Sequence, residues 1–341
     1  MPVRTAHARM AEADHPGTHV PPADDTFPAG GDKGDMMNHD AWPALPYDAW
    51  MPTKKTLHMC AQMIGKARLA LSPPQPEWLN TCLYLDGRGF TTTAMPRGTD
   101  IVSMGIDVYD SAMWIRVSDG RVATVPLSTG RCVADIWSGF RDALAGLDLV
   151  LDIWEKPQEV GDTTPFSENR HDCTIVAGDA QRFLRVLTSI DAVFEAFRSR
   201  FFGRSGVQLW WGGFDLAVLL FTGKHEKAPD DRGYIMRYDL DAEHMNAGFW
   251  PGDDSNPYPG FYAYLVPRPD GCETAPIGSE HAGWVEAMGE WMMPYEAVRT
   301  SNNPRQAILS FLDGVYGVAT TLGGWDAEAF TYKKPVPAPR R

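Results

Sequence analysis

The sequence predicts an α+β fold: antiparallel sheets with flanking helices, as two sheet-rich halves or as one merged domain. Three observations carry this. Short β-branched and aromatic runs fall into two groups, one over about 79–127 and one after Gly206, broken by turn signals such as Asp86-Gly87 and Asp119-Gly120. Helical patterns stand before, between and after these groups instead of alternating strictly with single strands, which argues against a doubly wound parallel sheet. The chain also has ample material for a core: 12 Trp, 15 Phe and 11 Tyr in 341 residues, more aromatic surface than a disordered chain keeps in water.

The elements follow in order. Residues 1–40 are rich in Pro, Gly, Asp, Ala and His with almost no large apolar side chains, and read as a disordered tail. The body begins at Trp42-Pro-Ala-Leu-Pro-Tyr47. A helix is predicted over 53–71, stopped by Ser72-Pro73-Pro74. Strands are predicted over 79–85, 90–94, 101–109, 113–117 and 121–127, with a hairpin at Ser118-Asp119-Gly120-Arg121. A helix over 133–147 and a buried strand over 149–154 come next. After a Pro- and Asp-rich connection, the helix over 179–202 is the strongest in the chain. Its Phe183, Leu187, Ile190, Phe194, Phe197 and Phe201 recur in steps of four and three, one apolar stripe. Strands over 207–211 and 214–222 are divided by Gly212-Gly213. An acidic loop is expected over 224–259, then strands over 261–266 and 290–294. A helix over 304–322 closes the body, with Pro304 in its first turn and Gly323-Gly324 after it. The Pro-rich end reads as a second tail. The expected organisation is a tail over 1–40, an α+β half over 41–155, a connection over 156–178, a second α+β half over 179–331 and a tail over 332–341.

Lys plus Arg is 31 and Asp plus Glu is 44, a formal net charge of −13. An acidic body repels phosphate backbones, so nucleic acid is not an expected partner. Nor is a membrane, because no run approaches the ~20 apolar residues a spanning helix needs. The five cysteines are scattered, odd in number and without a C-x-x-C pair. They suit small buried hydrophobes in a reducing cytoplasm better than a disulfide or zinc framework. Arg4 and Arg9 are not followed by an apolar stretch, so no secretory signal is read and a cytoplasmic location is expected.

Several segments carry a family resemblance. They are Thr56-Leu-His-Met with Gly65-Lys-x-Arg-Leu-Ala-Leu, Phe197-Arg-Ser-Arg-Phe201, Trp211-Gly-x-Phe-Asp-Leu-Ala217, Gly248-Phe-Trp-Pro-Gly252 and Phe261-Tyr-Ala-Tyr264. Together with the Trp42 segment they resemble a bacterial family catalogued as domain of unknown function 5996, over about 42–325. Glu77-Trp-Leu-Asn80 departs from the His- and Trp-rich stretch expected there. The resemblance implies a bacterial cytoplasmic protein and brings no activity, cofactor or site residue with it.

The chain contains no G-x-S-x-G, G-x-x-x-x-G-K-[ST], H-E-x-x-H or G-x-G-x-x-G pattern and no EF-hand loop. What remains is charge placement. From 51 to 72 there is no acid, but Lys54, Lys55, Lys66 and Arg68 are present, and His58, Gln62 and Lys66 share one helix face. Such a face meets either an anionic ligand, with His58 as an acid–base group, or the protein's own acids. Arg198 and Arg200 end the long helix, where cations also complement its dipole. Asp215 stands between apolar neighbours and demands a partner. Asp239, Asp241, Glu243 and His244 form an acid–His cluster, read as a solvated loop rather than a metal site. Arg198, Arg200, Asp215 and Lys66 or Arg68 are expected to converge beside Trp211. His58 and Asp215 are thus the catalytic candidates, and Lys66, Arg68, Arg198, Arg200 and Trp211 the ligand-binding ones. Two functions are expected to compete: a small-molecule enzyme or binder for an anionic, partly apolar ligand, and a non-catalytic interaction or regulatory protein. No cofactor, metal or oligomeric state is indicated.

Overall fold

The computed structural model describes residues 41–227 and 233–333; the tail expected over 1–40, and all but the first two residues of the tail expected over 332–341, lie outside them. Among the described residues the chain is α+β, with seven helices and two antiparallel six-stranded sheets.

The first helix, α1 (Tyr47–Leu71), starts well before the expected 53 and runs through Pro52. Read locally, that proline is a breaker, costing ~3 kcal/mol in a helix interior. The turn ahead of it is held by packing: Trp50 is fully buried, its ring 4.6 Å from that of Phe183. The first sheet comprises β1 (Tyr84–Asp86), β2 (Gly89–Thr91), β3 (Met95–Arg97), β4 (Asp100–Asp107), β5 (Ala112–Val117) and β6 (Val122–Pro126). Its order is β1-β2-β4-β5-β6, with β3 also paired to β4. The strand expected over 79–85 shrinks to β1, because the 3-10 turn at 76–78, in which Glu77 and Trp78 take φ of 54° and 53°, runs on through Thr81, whose N–H donates to the Trp78 carbonyl at 2.8 Å. α2 (Val133–Gly146) follows β6 as predicted. The strand expected over 149–154 is absent. Leu149, Leu151 and Ile153 are buried between exposed Val150 and Trp154, the alternation of a strand, but no described strand pairs with them.

The long helix, α3 (Ala177–Arg198), ends before the expected 202 and buries five residues of the predicted stripe, Phe183, Leu187, Ile190, Phe194 and Phe197, each 0% exposed; the sixth, Phe201, is 1% exposed just beyond the helix end. The second sheet is built from β7 (Gln208–Trp210), β8 (Asp215–His225), β9 (Ala242–Trp250), β10 (Gly260–Val266), β11 (Gly283–Val285) and β12 (Glu290–Pro294), in the order β11-β12-β10-β9-β8-β7. A short helix, α4 (Tyr234–Tyr238), lies between β8 and β9. α5 (Tyr295–Arg299), α6 (Pro304–Thr321) and α7 (Ala327–Phe330) end the chain, α6 with Pro304 in its first turn. The acidic loop expected over 224–259 is a misreading, since it contains β9, a central strand between β8 and β10. Glu243 and His244, expected in a solvated segment, are 5% and 0% exposed.

Strand alternation gives the second sheet two different faces. Leu216, Val218, Met245, Phe249, Phe261 and Met293 are buried in the core on the side of α3 and α6, where the Phe194 ring stands 6.5 Å from that of Phe261. The residues between them, including Asp215, Asn246, Gly248, Tyr262, Tyr264 and Met292, turn to the opposite face. Leu83 and Leu209 join the two sheets by exchanging two backbone hydrogen bonds of 2.8 Å. One hydrophobic cluster runs from Leu45 to Trp325 and takes in side chains of both sheets.

Candidate functional site

Two cavities adjoin on the outer face of the second sheet and share Glu159 and Trp250. The first, of about 240 Å³, lies on the sheet itself. The register assembles it: Trp210 pairs with Asp215, Gly248 with Tyr262, Asn246 with Tyr264 and Tyr262 with Met292. Ile235 of α4, Asp239 just after it, Glu159, Met288 and Glu290 complete the wall. The indole N–H of Trp78 donates to the Ile235 carbonyl at 3.0 Å and ties α4 to the 3-10 turn. Gly248 makes room, because a Cβ there would stand 2.5 Å from the Tyr262 ring and hydroxyl. The Tyr262 hydroxyl instead donates to the Asp215 carboxylate in a short hydrogen bond.

The cavity is lined by acids and aromatic rings, and no Lys, Arg or His is among its described lining residues. Burial, with added repulsion from Glu159 and Asp239, raises Asp215 to about 7 against the pull of the Tyr262 hydrogen bond. Burial raises Asp239 to about 7, with Glu159 and Asp241 adding to it. Glu290 also rises to about 7, by burial first and then by repulsion from Asp215. Glu159 is an exposed residue, but its carboxyl group is crowded by protein, lying where a Cβ on Gly212 would stand 2.5 Å away; desolvation raises its pKa. Behind Asp239, the buried Glu77 rises to about 9 through desolvation and then through Asp239 and Asp241. His244 is lowered by burial to about 4, and so is neutral beside Glu77, its Nδ1 3.6 Å from Oε1. Asn246, only 8% exposed, donates from Nδ2 to the Tyr264 hydroxyl at 2.9 Å, while its Oδ1 has no partner. Among the described residues no group of three or more His, Cys, Asp or Glu is placed to hold a metal ion.

The second cavity, about 440 Å³, opens between α1 and the 159–173 segment. Its Lys54 is lowered to about 8 by burial, partly offset by Asp253 and Asp254. Lys55 pairs with Asp254 at 2.7 Å. Two cations of the acid-free stretch 51–72 thus face the protein's own acids.

The sequence-predicted residues divide into separate groups. His58 Nε2 lies 3.0 and 2.8 Å from the carbonyl oxygens of Trp211 and Gly212, and the ring stacks 5.1 Å from Phe214. Burial and nearby Lys54 lower it to about 3, so His58 is neutral and holds the 211–214 turn in place. Lys66 meets Trp211: its ammonium stands 5.3 Å from that ring and 4.8 Å from the Trp154 ring, and donates to Gln158 Oε1 at 3.1 Å. Arg68 donates to the Asn80 carbonyl and to Thr93 Oγ1 and lies over Tyr84. Arg198 pairs with Glu195 at 2.6 Å, and Arg200 pairs with Asp313 on α6. The expected convergence therefore does not form. Lys66 and His58 reach Trp211, the arginines are satisfied elsewhere, and Asp215 is partnered by Tyr262. Of this site the sequence singles out Asp215 as a candidate and sets Asp239 in a solvated segment, whereas Asn246, Glu290 and the pairing of Asp215 with Tyr262 are not legible in it. The period-two placement of Asn246, Gly248 and Trp250 opposite Tyr262 and Tyr264 is the signal that points to the site, but reading it requires knowing that 242–250 is a strand.

No curated protein and no solved structure matches this chain. A family model does match, over residues 42–332, and the chain accordingly belongs to the family of unknown function DUF5996.

Proposed function

We propose that the protein binds a small organic molecule in the acid- and aromatic-lined cavity and that Asp215 exchanges a proton with it. One observation carries the reading: Asp215, Asp239 and Glu290, around a single aromatic-walled cavity, all titrate near 7. Carboxyls poised there take up and release protons at neutral pH, the property a general acid or base needs. The Tyr262 hydroxyl holds the Asp215 carboxylate in one orientation. A cytoplasmic setting fits this reading, since all five cysteines are free thiols, as in a reducing compartment.

The test is an NMR fragment screen combined with a carboxyl pH titration. Fragments that shift the Tyr262 and Trp210 signals, together with an Asp215 midpoint near 7, support the reading. An ordinary Asp215 midpoint, or no fragment contacting these residues, defeats it. A second reading, a protein-interaction role, is favoured by the rings of Trp78, Tyr234 and Tyr238, which meet edge to face at 5.2–5.7 Å with Tyr234 69% and Tyr238 48% exposed. Tyr234→Ser with Tyr238→Ser in a pull-down would separate the two: loss of a bound partner with fragment binding intact favours the interaction role.

A further inference from the structure

The geometry points to an organic cation, an ammonium group on an apolar body, as the occupant of the cavity over Asp215, Asn246 and Glu290. This rests on the small-molecule reading above and names its ligand class. Three independent features agree. First, the charged groups that line the cavity are acids from four separate segments: Glu159 before α3, Asp215 on β8, Asp239 after α4 and Glu290 on β12. The arginines and lysines expected there are held elsewhere, by Glu195, Asp313, Gln158 and backbone or hydroxyl oxygens. Second, the buried Asn246 Oδ1 is an acceptor without a donor. A buried unpaired acceptor is costly, and an N–H donor removes the cost. An anion would leave Oδ1 unpaired and add a like charge. Third, the walls include the aromatic side chains of Trp210, Trp250, Tyr262 and Tyr264 and the soft side chains of Met288 and Met292. Aromatic faces attract ammonium groups, most strongly when water is excluded.

Size limits the body of the ligand. A dry cavity of ~150 Å³ accepts benzene, so about 240 Å³ suits one ring with a short side arm. pH sets the direction of the effect. The titratable groups facing the site are Glu159, Asp215, Asp239, Glu290, Tyr262 and Tyr264, with Glu77, Asp241 and His244 behind Asp239. The two tyrosines are pushed up by burial and stay protonated. The carboxyls ionise as pH rises through about 7, while an alkylammonium, like lysine at ~10.4, remains charged. Affinity for a cation therefore rises from pH 6 to pH 8, and the ligand displaces protons.

Three probes with one body test this: 2-phenylethylammonium chloride, 2-phenylethanol and phenylacetate, titrated calorimetrically into the full chain at pH 6 and pH 8. The ammonium is expected to bind at least about tenfold tighter than the alcohol at pH 8, and to weaken several-fold at pH 6 while the alcohol does not. Phenylacetate should not bind. Glu290→Gln and Asp239→Asn, which keep shape and remove charge, should each weaken the ammonium several-fold and leave the alcohol unchanged. Equal binding of ammonium and alcohol, or preferential binding of phenylacetate, overturns the cation assignment and leaves the small-molecule reading standing. Binding of none of the three while other fragments occupy the cavity overturns the assignment alone. Binding of none, with no fragment in the cavity, overturns both.

Discussion

Gly248 has no side chain, and Tyr262 uses the space. A methyl group there would meet the Tyr262 ring at 2.5 Å, a contact that must be relieved by moving the ring off Asp215. Gly248→Ala is therefore expected to cost about 1–3 kcal/mol, the usual range for overpacking, in urea unfolding. It should also push the Asp215 titration further up in carboxyl NMR, because the hydrogen bond that favours the charged form is lost. Asp215→Asn acts oppositely at high pH. It removes an ionised group from a buried site and should raise stability at pH 8 by roughly 1–3 kcal/mol, with little change at pH 4, where the carboxyl is protonated in the folded chain. A fall in stability at pH 8 would count against the buried titration. The sequence makes Asp215 conspicuous, because Phe214 and Leu216 flank it. Its partner was hidden: Tyr262 lies 47 residues further on, and an aromatic hydroxyl competes poorly with arginine in any local reading of charge.

At the scale of elements, α1 joins two opposing effects at Gly65. Glycine to alanine inside a helix ordinarily gains ~1 kcal/mol. Here the new Cβ would stand 2.1 Å from Trp211 Cδ1, so the steric cost prevails and Gly65→Ala is expected to lower the melting temperature. Lys66, the next residue of the same helix, is lowered to about 8 by burial. Between pH 8 and 10.5 the unfolded chain holds that proton and the folded chain does not, so its contribution to stability rises with pH. Lys66→Met should remove this rise, measured as the difference in urea midpoint between pH 8 and pH 10. α3 was legible because its five stripe residues, from Phe183 to Phe197, keep one period and meet one core. β9 was not. Its core side, Met245, Ala247 and Phe249, alternates with Asn246, Gly248 and Trp250, whose face holds a cavity instead of solvent. A strand buried on one side by core and on the other by a polar site reads as neither amphipathic nor apolar.

Over the whole molecule the buried groups give the stability curve its slope. Asp215, Asp239 and Glu290 are raised to about 7 and Glu77 to about 9, so each favours the folded chain less as pH rises through its folded value. His58 and His244, lowered to about 3 and 4, contribute fully once pH exceeds their ordinary 6.5. Lys54 and Lys66 begin to act only above about 8. From pH 6.5 to 8 the acids alone operate, and stability should fall by roughly 1–3 kcal/mol; a flat or rising curve over this window would refute the acid cluster. The reciprocal hydrogen bonds between Leu83 and Leu209 have a further consequence for the time course of opening. Each of the two amides is protected only while both strands stay in place. In deuterium oxide they should exchange at matched rates, through one opening event, and so report whether the two sheets part as a unit or fray singly.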